Sequence, residues 1–226
     1  MSIPNMTSAG TERTVRIQAG RVTLEGDLSI PTHARAVVLF AHGSGSSRFS
    51  SRNRRVAQIL QNGGFATFLI DLLTQREEEV DEYTREYRFD IGRLAERLVG
   101  AAEWLSEESS TAKLPIAMFG ASTGGGAALV AAAEMPDLVK AVVSRGGRPD
   151  LAGAALSRVR APTLLIVGGN DEVVIELNRE ALAQLRAPAR LEIIPGATHL
   201  FEEPGALDEV ARLARDWIES YAARAS

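Results

Sequence analysis

Apolar and polar residues alternate over Thr14–Gln18 and again over Arg21–Ser29, on either side of an Ala19-Gly20 corner. A period of two sends alternate side chains to one face, so this stretch predicts an antiparallel hairpin at the edge of a sheet. The pattern then changes. Ala36–Ala41, Ala66–Ile70, Ile116–Phe119, Val139–Ser144, Thr163–Gly168 and Arg190–Ile194 are short, nearly continuous apolar runs, as expected of strands covered on both faces. Between them Asn53–Gln61, Asp90–Glu107, Thr123–Glu134, Leu177–Leu185 and Leu207–Ala222 repeat apolar residues at spacings of three and four, which predicts helices. The alternation predicts an α/β fold with a mostly parallel central sheet and helices on both faces. Ligands of such sheets gather at the carboxyl ends of the strands, so the loops just after the strands are where function is expected.

Met118 and Phe119 fall on a strand and read as core, while Trp104 and Trp217 lie on helical patterns and read as helix anchors. Gln75–Arg88, with its Glu77-Glu78-Glu79 run, reads as a solvated excursion. Leu72, Leu73, Tyr83, Tyr87 and Phe89 around it are placed to cover part of a pocket. The length, 226 residues, suits one core, and the expected organisation is a flexible segment 1–13 followed by a single domain over 14–226 with no large cap.

Composition narrows the chemistry. A formal charge of −4 without a clustered basic excess argues against a nucleic-acid partner. No apolar run approaches the roughly 20 residues needed to cross a bilayer, and Met1–Thr14 lacks the features of a secretory signal, so no membrane partner and a cytoplasmic location are expected. With no cysteine there is no disulfide, thiolate nucleophile or thiolate-bound metal.

The most informative stretch runs from the apolar Ile116–Phe119 through Gly120-Ala121-Ser122-Thr123-Gly124 into a helical pattern. A G-x-S-x-G between strand and helix is a nucleophile elbow, in which the serine takes a strained backbone and projects above the sheet at the amino end of a helix. Gly120 and Gly124 are expected because side chains there would collide with neighbouring strand and helix. Phosphate-loop readings fail, since no G-K-[ST] follows and neither glycine-rich stretch completes G-x-G-x-x-G.

A serine hydroxyl needs a base, and the base needs an orienting acid. Of three histidines, His33 lies in a turn before a strand, His42 directly follows Ala36–Ala41, and His199 stands just past the final strand. The order serine, acid, histidine then points to Ser122, Asp171 and His199, with Glu172 as rival acid and a helix-capping role as the structural alternative for Asp171. The N–H groups of Thr123 and Ser44 are the expected oxyanion donors, with Gly45 a further candidate near the substrate. His42 reads as a brace of its loop. In Ser144–Asp150, Arg145 or Arg148 is a candidate partner for a substrate carboxylate, with a structural ion pair as the alternative, and Arg145 is carried forward as a substrate-binding residue.

The blocks His42-Gly43-Ser44-Gly45-Ser46-Ser47, Gly120–Gly125, Gly168-Gly169-Asn170-Asp171 and Gly196-Ala197-Thr198-His199-Leu200-Phe201 resemble those of the α/β-hydrolase superfamily, and within it the dienelactone hydrolase-like branch. The resemblance covers nearly the whole chain. It implies hydrolysis of carboxylic esters or lactones with no cofactor, and the mechanism needs no metal; a monomer or small homo-oligomer is expected. One departure is plain: dienelactone hydrolases proper use a cysteine nucleophile, and this chain carries Ser122. Two other readings stay open, acyl transfer to an amine or peroxide acceptor on the same residues, and a non-catalytic binding module of the same fold.

Overall fold

The computed structural model describes residues 10–223. Strands β1 (Thr11–Ala19) and β2 (Val22–Ile30) form the expected hairpin, in register from Thr11 opposite Ile30 to Ala19 opposite Val22, with Gly20 at φ 59° in the turn. Strand β1 therefore begins within the segment expected to be flexible, whose first nine residues lie outside the described ones. Along the hairpin only the inward positions Ile17, Ala19, Leu24, Gly26 and Leu28 are buried, as period two requires of a sheet edge with one wet face.

Six further strands, β3 (Val37–Ala41), β4 (Ala66–Ile70), β5 (Ile116–Ala121), β6 (Val139–Arg145), β7 (Thr163–Gly168) and β8 (Ala189–Ile194), pair in parallel in the order β4-β3-β5-β6-β7-β8. The hairpin joins antiparallel through β2 against β4. All residues of β3, β4, β5 and β7 are buried, which is why they read as unbroken apolar runs.

Six helices cover the sheet: α1 (Ser51–Asn62), α2 (Gln75–Thr84), α3 (Ile91–Glu107), α4 (Thr123–Glu134), α5 (Glu172–Gln184) and α6 (Ala206–Ile218), with 3₁₀ turns over Pro149–Arg158. The strand period divides the apolar runs between two cores. Val37, Leu39, Ile116 and Met118 pack with α3 and α4, while Val38, Phe40, Ala117 and Phe119 pack with α1 and α6. The Phe40 and Phe119 rings lie 4.9 Å apart. Each buried Val, Leu, Ile, Met or Phe side chain among these contributes about 1.5–3 kcal/mol. The two tryptophans anchor helices as expected: Trp104 of α3 packs on Phe68, and Trp217 of α6 donates to the Pro162 carbonyl at 3.2 Å.

Among the described residues no large cap interrupts the sheet, and the excursion after β4 is more ordered than its charge suggests. Thr74 and Glu77 form a reciprocal capping box at the start of α2, and the buried Asp81 accepts hydrogen bonds from the N–H groups of Tyr87 and Arg88 and, at 2.5 Å, from the Arg88 guanidinium. Leu72 and Leu73 are core residues, whereas Tyr83 and Phe89 are exposed. No helix among the described residues is long and apolar enough to cross a membrane.

Candidate active site

Ser122 sits between β5 and α4 at φ 52°, ψ −122°, a backbone state that costs a residue with a side chain roughly 1–3 kcal/mol. The surroundings hold it there. Its N–H donates to the Arg145 carbonyl at 3.2 Å, and its own carbonyl accepts from Gly125 and Arg148. A Cβ at Gly120 would lie 2.4 Å from the Gly124 carbonyl oxygen, and one at Gly124 2.4 Å from that of Ala41, so both elbow glycines are required by close approach. Residues Thr123–Leu129 of α4 are all buried, which explains their small size up to Ala128.

The loops after β7 and β8 are laced together. Gly169 N–H donates to Ile194, Asn170 N–H to Ala197, and the Asn170 side chain to Gly196. This places Asp171 Oδ2 2.6 Å from His199 Nδ1. Asp171 stands at the N-cap position of α5 but makes no capping bond, so the structural alternative is not realised, and the rival Glu172 is exposed. With a carboxylate at Nδ1, that nitrogen carries the proton and the neutral ring keeps its lone pair on Nε2. Ser122 and His199 line one cavity of about 240 Å³, although no hydrogen bond joins their side chains among the described residues. Such bonds are commonly long before substrate arrives.

The loop after β3 forms the opposite wall. Ser46 N–H closes a turn onto the Gly43 carbonyl, with Gly45 at φ 67° where the turn demands a positive φ. The N–H groups of Ser44, in this turn, and of Thr123, first in α4, have no partner among the described residues. His42 does brace the loop: it is buried, Nδ1 lies 2.9 Å from the Gly43 carbonyl, and Nε2 accepts from Leu72 N–H at 3.0 Å. Burial pushes its pKa down from the ordinary value, so the ring stays neutral. Arg48 ties the same loop to the hairpin through Glu25 and Asp27 and to the end of β4 through Asp71.

The arginine that ends β6 and the one in the loop after it part company. Arg148 forms a two-pronged ion pair with Asp150, the structural alternative, whereas the buried Arg145 is among the residues that line the cavity with Ser122 and His199. Gly45 stands across the β3 loop, lining a neighbouring cavity of about 360 Å³ under α2. Sequence reading missed Asn53, which is buried on α1 and accepts from Arg145 Nη2 at 3.2 Å. Its signal was a polar residue opening the buried stripe Asn53, Val56, Ala57, Leu60. Among the described residues no cluster of three or more histidines or carboxylates is arranged to hold a metal ion.

A match to the dienelactone hydrolase family spans residues 24–224. The crystal structure of a dienelactone hydrolase from Anabaena variabilis is 62% identical, superposes with a TM-score of 0.93, and covers 94% of this chain and 99% of that one. Est1E from Butyrivibrio proteoclasticus is 16% identical with a TM-score of 0.76 over 94% of this chain and 99% of its own, a likeness of fold. A Mycobacterium tuberculosis protein named "Putative phosphoribosyl transferase" is 57% identical over 204 residues, which make up 90% of this chain and 45% of that protein. The chain thus spans about half the length of this curated relative.

Proposed function

The chain belongs to the dienelactone hydrolase family, and from that premise we propose a serine hydrolase that cleaves small carboxylic esters or lactones with Ser122, His199 and Asp171. His199 Nε2 takes the Ser122 proton as Oγ attacks the carbonyl, and the N–H groups of Thr123 and Ser44 receive the oxyanion. The imidazolium then protonates the leaving alcohol, and a water activated by the same nitrogen releases the acyl group. Asp171 stabilises the imidazolium without taking its proton.

One observation carries the reading: a carboxylate free of its helix cap lies 2.6 Å from an imidazole that shares a cavity with a serine at φ 52°. The transferase named in the longer relatives we assign to the part of them outside the shared region, since this arrangement is built for acyl rather than ribosyl transfer.

Labelling with a fluorophosphonate probe, beside p-nitrophenyl acetate hydrolysis, tests the proposal. Labelling at Ser122 that vanishes in Ser122→Ala supports it. A folded parent that takes no label, or activity surviving in Ser122→Ala, favours the binding module. Turnover that rises with added amine or peroxide favours acyl transfer.

A further inference from the structure

Asn178 is buried on α5, and its side-chain NH2 donates to the Gly147 carbonyl at 3.0 Å and to the Val174 carbonyl, one turn back, at 2.7 Å. Its Oδ1 is buried without a hydrogen-bond partner. Burying an amide with one end unsatisfied is costly, so packing alone does not account for this residue. Its bond to Gly147 is also the one hydrogen bond from a side chain of α5 to another element among the described residues, since Arg179 and Gln184 bond within the helix.

The two ends of that bond carry different parts of the site. Asp171 is the N-cap of α5, its carbonyl accepts from Ile175 N–H, and Asn178 follows it by about two turns. Gly147 lies in the stretch 145–148, where Ser122 N–H donates to the Arg145 carbonyl and the Ser122 carbonyl accepts from Arg148 N–H. Gly146 of the same stretch packs on His199, since a Cβ there would lie 3.1 Å from the His199 carbonyl oxygen and 3.6 Å from its Cε1. Toward α4 there is no room to slide: a Cβ at Gly147 would lie 1.8 Å from Ser144 Oγ, and one at Gly125 3.1 Å from the Gly147 Cα. Gly147 is thus wedged between α4 on one side and the Asn178 amide on the other.

We propose that Asn178 is a positioning residue: through Gly147 it holds the helix that starts at Asp171 at a fixed distance from the loop that grips Ser122 and backs His199. This rests on the hydrolase reading for its effect on turnover, though not for the geometry that Asn178 fixes. Acyl transfer requires the serine oxygen, the imidazole nitrogen and the carbonyl to be aligned, and a misplacement of about 1 Å costs about 100-fold in rate.

The test has two arms. In the first, kcat and KM for p-nitrophenyl acetate are measured in the parent, in Asn178→Leu, which removes both donors, and in Asn178→Ser, whose hydroxyl reaches the Val174 carbonyl but not Gly147. Thr111→Val is the control, because it deletes a buried hydrogen bond, from Thr111 Oγ1 to the Leu105 carbonyl at 2.7 Å, ahead of the amino end of β5. Both Asn178 variants should lower kcat about 100-fold with KM within about twofold. Thr111→Val should lower the urea midpoint and leave kcat at the parent's value.

The second arm needs no turnover. The nitrogen NMR shifts of the His199 ring, assigned by their loss in His199→Ala, report above neutral pH which nitrogen carries the proton. The parent should hold it on Nδ1 against Asp171, and both Asn178 variants should move it toward Nε2. A fall in kcat with the tautomer intact puts the slip at Ser122 and supports the proposal. A tautomer that moves in a folded protein that takes no fluorophosphonate label keeps the positioning role and removes the hydrolase. Parent values of both kcat and tautomer in Asn178→Ser, or an unmoved tautomer where the parent has no turnover, overturn the proposal, whatever Asn178→Leu does to stability.

Discussion

His42 follows β3 directly and His199 stands on the loop after β8, so both belong to the carboxyl edge of the sheet beside Ser122. Their surroundings set them apart. Both ring nitrogens of His42 are engaged, one by the Gly43 carbonyl and one by Leu72 N–H, inside the fold. His199 uses only Nδ1, on Asp171, and its side chain is 38% exposed at the cavity. A histidine serves as a base when one nitrogen is oriented and the other left open, and as a brace when both are spent.

The comparison is most exposed to failure at His199. His199→Ala should cut kcat/KM for p-nitrophenyl acetate by about 10⁴-fold or more, with a circular dichroism spectrum and Tm close to the parent's. A larger loss of activity in His42→Ala than in His199→Ala would reverse the assignment. Asp171→Asn should follow with a loss of about 10³–10⁴-fold, because the amide favours the wrong tautomer. Its urea midpoint should stay near the parent's, since Asp171 caps nothing.

His42→Ala should do the converse. It leaves Leu72 N–H unsatisfied and opens a void, which costs about 2–3 kcal/mol of unfolding free energy by urea titration, with activity falling about tenfold through the loosened loop.

The smallest effect is in acid. The folded pKa of His42 lies below its ordinary value of 6.5, so below that pH the unfolded chain binds more protons. The stability of the neutral ring is complete above pH 6.5 and is lost as the pH falls beneath it. The unfolding free energy measured by urea titration from pH 7.5 to 5 should decline in the parent with a slope of at most about 1.4 kcal/mol per pH unit from this group, and His42→Gln should flatten it.

Much of the frame was legible because its strands are pure apolar runs: Ala66–Ile70 and Thr163–Gly168 have the same bounds in sequence and structure. The start of α5 was hidden. Its first turn holds Val173, Val174 and Ile175, a β-branched run that reads as strand, and Val173 is exposed, so the periodic signal begins only at Leu177. Helix α2 was missed since its only buried residue is the charged Asp81, and the capping pair Thr74 and Glu77 was the one available sign. Ser122, Asp171 and His199 were read from motif and order, and the structure brings them to one edge. That Arg145 lacks a counter-ion while Arg148 has Asp150 depends on what packs nearby, which no spacing encodes.

The positive φ of Ser122 has a further consequence for how this chain changes over generations. Glycine would relax that backbone at no steric cost, at the expense of a floppier unfolded chain, for a net gain of about 1 kcal/mol in Ser122→Gly. The most strained position of the elbow is therefore one where durability and chemistry pull in opposite directions. A lineage released from the need for the reaction would drift toward a sturdier, silent protein by a single substitution.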